Sequence, residues 1–177
     1  MPTTATKTLS TGSTSPTEPR DDASYDEYIA SLVALKRIAA SRAYAFADPE
    51  VLSAWLNTRA TPDSMIEKLA RPNGTMITLY TDHLVGCVFV EMISPDTACL
   101  SELYCESDSL GLGSFLFDRA LAHAQASSAK RMILHCFEKN SRAQDFFTSR
   151  GFSFSRSVEA TDSLGAGELF ELSMALS

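Results

Sequence analysis

The sequence predicts a mixed α/β (α+β-like) fold, in which helices pack against a sheet that contains antiparallel hairpins. Three observations lead to this prediction. Apolar residues recur at helical spacing from Tyr28 to Leu69, and strand-length apolar runs begin at Met76. Three such runs follow one another across short turns, which is typical of an antiparallel meander. Helical and strand-like segments then alternate to the end of the chain.

The chain divides into a tail and one domain. Residues 1–23 are rich in Ser, Thr and Pro and poor in large apolar residues, so we expect a mostly flexible tail. A short strand around Thr6 to Ser10 is the alternative for part of it. Residues 24–177 are long enough to bury one substantial core and are predicted to form a single domain.

Helix start signals mark the first part of this domain. Asp22 or Ser24 can cap a helix that runs to about Ala45. Asp48-Pro49-Glu50 and Thr61-Pro62-Asp63 each place a capping residue before a proline at the first helical position, and each predicts a further helix. The turn Arg71 to Gly74 ends the last of them.

The remaining elements follow from the change to strand periodicity. Strands are predicted at Met76–Tyr80, Leu84–Met92, Ala98–Cys105, Arg131–Phe137, about Phe152–Val158 and Gly167–Met174, and helices at Gly111 to about Ala126 and Ser141–Ser149.

Composition excludes several classes of function. The net charge of −7 argues against a nucleic-acid-binding protein, which needs a basic face, and is compatible with a cationic amine as substrate. No apolar run approaches the roughly 20 residues that span a bilayer, and the N-terminus lacks the apolar segment of a secretory signal. The four cysteines form no C-x-x-C pair and the three histidines show no ligand spacing. We therefore expect a cytoplasmic protein with buried thiols, no metal site and no membrane partner.

A glycine turn indicates an anion site. Leu110-Gly111-Leu112-Gly113-Ser114 follows a strand and opens a helix. Glycines let backbone N–H groups approach an oxygen closely, and the helix N-terminus adds a partial positive charge. The pattern predicts the pyrophosphate seat of a nucleotide cofactor.

The order of these motifs resembles the GNAT superfamily of acyl-CoA-dependent N-acetyltransferases over about residues 25–175. Leu100-Ser101-Glu102-Leu103-Tyr104-Cys105 is similar to the family's fourth strand, and Gly111-Leu112-Gly113 to the end of its glycine signature. A second motif, Asn-x-x-Ala-x-x-Phe-Tyr ending in Gly-Phe, is matched by Asn140, Ala143, Phe146, Phe147, Gly151 and Phe152.

The resemblance implies a central, mostly antiparallel sheet of six to seven strands, with helices on both faces and a splay between strands 4 and 5. Acetyl-CoA would be the cosubstrate, with its pantetheine arm in the splay, and an amine-bearing small molecule or peptide would attack the thioester directly. The arm would meet the backbone of Leu103, Tyr104 and Cys105, the Asn140 side chain and the Phe147 ring. The pyrophosphate would meet Ser109, Leu110, Gly111, Leu112, Gly113 and Ser114.

Two departures from the family pattern give rise to a rival hypothesis. The glycine turn is about two residues short and lacks the Arg or Gln at its start, which predicts weaker cofactor binding. Phe147 stands where the family has a tyrosine that donates to the leaving thiolate, and Tyr104 is the nearest other hydroxyl. The alternative function is a catalytically impaired acyl-CoA-binding or interaction module. A different nucleotide binder is disfavoured, because a dinucleotide fold expects a parallel sheet and an early glycine motif.

The catalytic candidates each have a structural alternative. Glu102 near the splay is a candidate base, or an ion-paired strand residue. His135 on the fifth strand is the second candidate base, since imidazole titrates near neutrality, or a hydrogen-bonded residue of a sheet face. Asn140 could serve only as a helix cap. Cys105 beside His135 suggests a thiol nucleophile, a route that the resemblance disfavours.

Two further features are left open by the sequence. The aromatic residues Tyr44, Phe46 and Trp55 either line an acceptor pocket or pack in the core. A homodimer through the C-terminal strands is also left open.

Overall fold

The computed structural model describes residues 10–14, 22–107, 111–159, 164–165 and 167–177. The strands are β1 (Ser10–Thr14), β2 (Gly74–Tyr80), β3 (Leu84–Ser94), β4 (Thr97–Cys105), β5 (Arg131–Phe137), β6 (Ser153–Val158) and β7 (Leu169–Ala175). The helices are α1 (Asp22–Ala43), α2 (Pro49–Arg59), α3 (Pro62–Leu69), α4 (Leu112–Ala126) and α5 (Ser141–Thr148).

These strands form one seven-stranded sheet in the order β1-β2-β3-β4-β5-β7-β6. All neighbouring pairs are antiparallel except β4 and β5, which are parallel. The predicted mixed α/β fold with a mostly antiparallel sheet is confirmed. The meander β2-β3-β4 also lies where the strand-length apolar runs predicted it.

The strand β1 differs from the sequence prediction. Ser10–Thr14 pairs antiparallel with β2, from Ser10 opposite Tyr80 to Thr14 opposite Met76. The sequence suggested a strand at Thr6 to Ser10 within an otherwise flexible tail, and most of that segment lies outside the described residues. The run Ser-Thr-Gly-Ser-Thr has no large apolar residue, so periodicity could not identify it. The neighbouring edge of β2 provides the pairing.

The sheet is covered by helices on both faces, and its strands alternate between two cores. On β2, Ile77 packs with the cluster around α4, whereas the adjacent Met76 packs with the cluster around α1 and α3. On β3, Val88 and Phe89 divide in the same way. Successive side chains of a central strand point into two different apolar cores. Both sets are therefore apolar, and the strand is a continuous apolar run in the sequence.

The helix start signals are formed as predicted. The Asp48 side chain accepts hydrogen bonds from the first backbone N–H groups of α2. Thr61 and Ser64 form a capping box at the start of α3. In both helices a proline occupies the first turn, where a missing N–H is tolerated. Within the described residues, no helix is both long and apolar enough to cross a bilayer.

The parallel strands β4 and β5 separate halfway along their length. Their ladder runs from Thr97 opposite Arg131 to Leu100 opposite Leu134 and stops there. β4 continues to Cys105 and β5 to Phe137 without pairing to each other. We call the gap between these two segments the wedge. It is the predicted splay, and it leaves backbone groups of β4 without a strand partner on that side.

A bulge in β4 accompanies the wedge. Cys87 of β3 lies opposite Tyr104 and Phe89 opposite Ser101, so β4 carries one residue more than β3 across this interval. Glu102 lies in the extra stretch and has φ 54°, in the left-handed region. Such a bulge bends the strand and increases its twist, which turns the end of β4 away from β5.

Candidate active site

One cavity of about 370 Å³ occupies the wedge and extends to the start of α4. Its lining includes the three catalytic candidates Glu102, Tyr104 and His135. Besides Tyr104, which is also a cofactor candidate, it includes seven further cofactor candidates, which are Leu103, Cys105, Gly111, Gly113, Ser114, Asn140 and Phe147. The structure therefore brings together, around one space, residues that span more than forty positions of the chain.

Three predicted cofactor residues are not in this lining. Ser109 and Leu110 lie outside the described residues. The Leu112 side chain is buried in the core between α4 and the sheet. Only the backbone of Leu112, at the first position of α4, remains as a possible contact.

The start of α4 has the properties of an anion site. Gly111 occupies the N-cap with φ 68° and ψ 11°, and among the described residues no side chain caps the helix. The first turn carries no acidic residue. The backbone N–H groups of a helix start are unpaired within the helix and carry the positive end of its dipole. A phosphate group is the ligand that such an uncapped helix start favours.

Asn140 caps α5 at the opposite wall of the cavity. Its side-chain oxygen accepts a hydrogen bond from the backbone N–H of Ala143 at 3.2 Å. The structural alternative for this residue is therefore realised. The cap uses the oxygen, and the side-chain NH₂ is left as the group that could donate to a ligand in the wedge.

Two tyrosines form a hydrogen-bonded pair in the lining of the cavity. Tyr44 and Tyr104 both line it, and their side chains are hydrogen-bonded to each other. Burial raises the pKa of Tyr44 to about 12 and raises the pKa of Tyr104 well above its ordinary value. Both hydroxyls are thus neutral at physiological pH, and in the bond between them one donates and the other accepts.

The other two aromatic candidates of this region pack rather than line the cavity. Trp55 lies edge-on to Tyr44, with ring centroids 5.3 Å apart, and belongs to the small core beneath α2. Phe46 is partly exposed, and its ring centroid lies 6.1 Å from that of Tyr44. Of the three, only Tyr44 lines the cavity.

Glu102 is held between two lysines. Its carboxylate lies 2.9 Å from Lys36 Nζ and 2.5 Å from Lys68 Nζ, and its side chain is 9% exposed. Burial alone would raise the pKa of Glu102, but the two ammonium groups outweigh burial and hold it below the ordinary value. Burial also lowers the pKa of Lys36, against the opposing effect of Glu102. A carboxylate so stabilised is a weak proton acceptor.

His135 has different surroundings. It lines the cavity, its side chain is 34% exposed, and Nε2 lies 3.7 Å from the Glu171 carboxylate. Glu171 is buried and also pairs with Arg131 and Arg156. The hydrogen bond from Arg156 lowers the pKa of Glu171, which therefore stays ionised beside the imidazole. His135 therefore lies beside an ionised carboxylate that two arginines also contact.

Phe147 packs in a group of phenylalanines. It is buried, with Phe117, Phe146 and Phe152 at ring-centroid distances of 5.0–6.3 Å. It reaches the cavity as an apolar ring. Cys136, on β5, lines the same space, and burial raises the pKa of its thiol to about 11. This thiol is therefore protonated. The nucleophile candidate of the sequence analysis is a different cysteine, Cys105, which also lines the cavity.

Three arginines of the lining were missed by the sequence analysis. They are Arg42 near the end of α1, Arg142 in α5 and Arg150 just after α5. Arg42 donates to the backbone carbonyl of Cys105 at 2.6 Å and to that of Glu106. A signal existed for Arg150, because it follows Ala143 and Phe146 at helical spacing on the side that faces the cavity.

The cavity suits the phosphorylated, amide-containing cofactor that the resemblance implies. The uncapped start of α4 and the three arginines suit phosphate groups, and the unpaired backbone of β4 suits the amides of an extended arm. Among the described residues, no group of histidine, cysteine, aspartate and glutamate side chains is arranged to hold a metal ion.

Several solved structures share this fold. The PaiA N-acetyltransferase from Thermoplasma acidophilum, in complex with coenzyme A, has a TM-score of 0.74 at 16% identity, covering 94% of this chain and 99% of that one. An acetyltransferase from Streptococcus agalactiae 2603 has a TM-score of 0.65 at 16% identity, covering 95% and 98%. An aminoglycoside 6′-acetyltransferase type Ii has a TM-score of 0.67 at 13% identity, covering 90% and 96%.

The solved structures establish the fold, and a family-level match goes further. Among curated proteins, no significant sequence match was found. The model of the acetyltransferase (GNAT) family matches residues 32–152, which is more than half of the chain and contains the wedge, the glycine turn and α5. The chain belongs to the GNAT family of acetyltransferases.

Proposed function

We propose that this protein transfers the acetyl group of acetyl-CoA to a primary amine, carried by a small molecule or a peptide, by direct attack of the amine. The observation that carries the proposal is the wedge. It joins the uncapped start of α4 to His135 through one continuous cavity. In this proposal the cavity has a phosphate-binding part at α4, a slot for an extended arm along β4 and a polar part at His135.

Each part of the cavity has a role in this proposal. Gly111, Gly113 and Ser114 at the start of α4 would hold the pyrophosphate, while the β4 backbone at Leu103 and the Asn140 NH₂ would bind the pantetheine arm. Bound there, acetyl-CoA supplies an activated acyl group as a thioester. Leu100 and Leu134, where the two strands part, close the slot at its narrow side.

The proton of the amine is the next requirement. An acceptor amine is an ammonium ion at neutral pH and must lose a proton before it can attack. In this proposal His135 accepts the proton from the amine, because the charge of Glu102 is already neutralised by two lysines. Glu171 would hold the charged imidazole in place.

The leaving thiolate needs a donor. Phe147 has no hydroxyl, so Tyr104 is the candidate donor in this proposal, with Tyr44 hydrogen-bonded to it.

The proposal is tested by ligand-induced stabilisation. A ligand that binds only the folded state raises the melting temperature by mass action. We expect acetyl-CoA to raise it saturably and NAD to have no effect. Gly113→Leu should abolish the shift, because the new Cβ would lie 3.5 Å from the Phe146 ring, inside the cavity. Ala122→Leu, on the exposed side of α4, is the matched control and should keep the shift.

Thiol release then separates transfer from binding. Incubation with acetyl-CoA and a panel of primary amines should release free CoA thiol for at least one amine class. A saturable shift without release for any amine would favour the impaired acyl-CoA-binding module. Absence of a shift at millimolar acetyl-CoA would contradict the proposed cofactor.

A further inference from the structure

Arg150 is held beside the start of α4 by hydrogen bonds and by ring stacking. Its Nη2 donates to Ser114 Oγ, in the first turn of α4, at 2.5 Å. Its Nη1 donates to the Phe146 carbonyl at 2.9 Å. The guanidinium also stacks on the Phe146 ring, 3.6 Å from the centroid. These contacts connect the end of α5 to the start of α4 and hold the cation half-buried between them.

The charge of Arg150 is not balanced by an acidic side chain. Among the described residues, no carboxylate forms an ion pair with it. A guanidinium has five N–H donors. Among the described residues, that of Arg150 donates hydrogen bonds to Phe146, Ser149 and Ser114. A half-buried cation with N–H groups to spare, lining a cavity, is suited to an anionic ligand.

The glycine turn explains why such a cation is needed. At its start this sequence has no Arg or Gln, and α4 offers only backbone N–H groups and the Ser114 hydroxyl. Arg150, just after α5, reaches the same helix start through its hydrogen bond to Ser114. An anion seated on the first turn of α4 would therefore lie beside its guanidinium.

We infer that Arg150 binds the pyrophosphate of acyl-CoA, oriented by Ser114 and by the Phe146 ring, in place of a cation in the glycine turn. This inference rests on the proposed function and deepens it by assigning a phosphate-binding residue from a different element. The pyrophosphate is chosen over the cofactor's 3′-phosphate because Arg150 is bonded to the helix start itself.

The test measures affinity rather than activity. Acetyl-CoA and its 3′-dephospho analogue are titrated calorimetrically into the wild type, Arg150→Gln and Arg119→Gln. Arg119 is the matched control, since it is an exposed arginine of α4 that stacks on Phe115 and does not line the cavity. Arg150→Gln should weaken both ligands equally, by about 10- to 100-fold, the range for a hydrogen bond to a charged group. Arg119→Gln should leave both unchanged.

Salt dependence and a second variant separate a phosphate contact from a structural effect. The affinity of the wild type should fall more steeply with KCl than that of Arg150→Gln, because one screened charge contact is missing in the variant. Arg150→Lys should recover part of the affinity. Ser114→Ala should weaken binding less in Arg150→Gln than in the wild type, since part of the effect of Ser114 passes through Arg150.

The outcomes that overturn the inference are distinct from failure of the proposed function. Unchanged affinity in Arg150→Gln, or a loss with an unchanged salt dependence, would overturn it. A loss confined to the ligand that carries the 3′-phosphate would assign Arg150 to that group instead and also overturn it. If the wild type itself binds neither ligand, the proposed function fails.

Discussion

At the scale of single residues, the two candidate bases are distinguished by their neighbours. Glu102 and His135 line the same cavity, yet two lysine ammonium groups stabilise the charge of Glu102. His135 instead has Nε2 3.7 Å from the Glu171 carboxylate. Proton uptake from a substrate is disfavoured at Glu102, which leaves His135 as the proposed base. Glu102 acts instead as the centre of a buried ion-pair group beneath the cavity.

This difference predicts the effect of removing the imidazole. His135→Gln should lower kcat/KM for the amine by about 100-fold or more, the usual contribution of a general base. The loss should shrink at alkaline pH, where more of the amine is already neutral. Steady-state rates across a pH series would measure both effects, and acetyl-CoA affinity should remain unchanged.

His123→Gln is the control for this prediction, because His123 lies in α4 and does not line the cavity. An equal fall in both variants would point to a general loss of stability. Full activity of His135→Gln at neutral pH would exclude His135 as the base.

At the scale of elements, α5 combines a structural and a proposed binding role in one residue. Asn140 starts the helix with its side-chain oxygen, and its NH₂ is available to the wedge. A simple deletion of the side chain would remove both functions together. Serine is as good an N-cap as asparagine but has no amide NH₂, so it separates the two roles.

Two substitutions at Asn140 should therefore behave differently. Asn140→Ala should lower the free energy of unfolding by about 1 kcal/mol, the usual value of an N-cap, and should also weaken acetyl-CoA binding. Asn140→Ser should keep the wild-type stability while it weakens binding to the same extent. Urea unfolding and calorimetric titration provide the two readouts. If Asn140→Ser binds acetyl-CoA with wild-type affinity, Asn140 acts only as a helix cap.

At the scale of the whole molecule, two buried carboxylates connect elements that are distant in sequence. Glu102 of β4 pairs with Lys36 of α1 and Lys68 of α3. Glu171 of β7 is linked to Arg131 of β5 and, through Arg156, to the edge strand β6. The pKa of each carboxyl is lowered by its cationic partners. Each group therefore contributes stability above its ordinary pKa of 4.5 that is lost as pH falls through its folded pKa.

Acid unfolding tests this contribution at Glu171. Glu171→Gln should reduce the free energy of unfolding at pH 7 by about 1–3 kcal/mol, since its arginine partners are partly exposed and solvent weakens the pairs. The difference from the wild type should shrink as the pH falls below 4.5 and through the lowered pKa of the native carboxyl, where this group itself becomes protonated. Glu67→Gln, on the exposed side of α3, is the control for urea unfolding at the two pH values. A difference that stays constant with pH would contradict the assignment.

The sequence by itself determined the order and type of the main elements, because these depend on local spacing. Apolar periodicity located β2 to β7 and α1 to α5, and the cap residues Asp48 and Thr61 marked two helix starts. The glycine turn and the Asn140 motif indicated the candidate cofactor site for the same reason. Each of these signals is contained within about ten residues of chain.

Only the tertiary structure decided which side chains meet. Lys36 and Lys68 reach Glu102 across 66 and 34 positions of sequence, and Arg150 reaches Ser114 across 36. The strand β1 likewise depends on the edge of β2 rather than on its own residues. Electrostatic pairing and edge pairing act between residues that are distant in sequence. The fold therefore neutralises Glu102, which the sequence indicated as a candidate base, with two lysines. It also brings Arg150, which follows the end of α5, into the cavity lining.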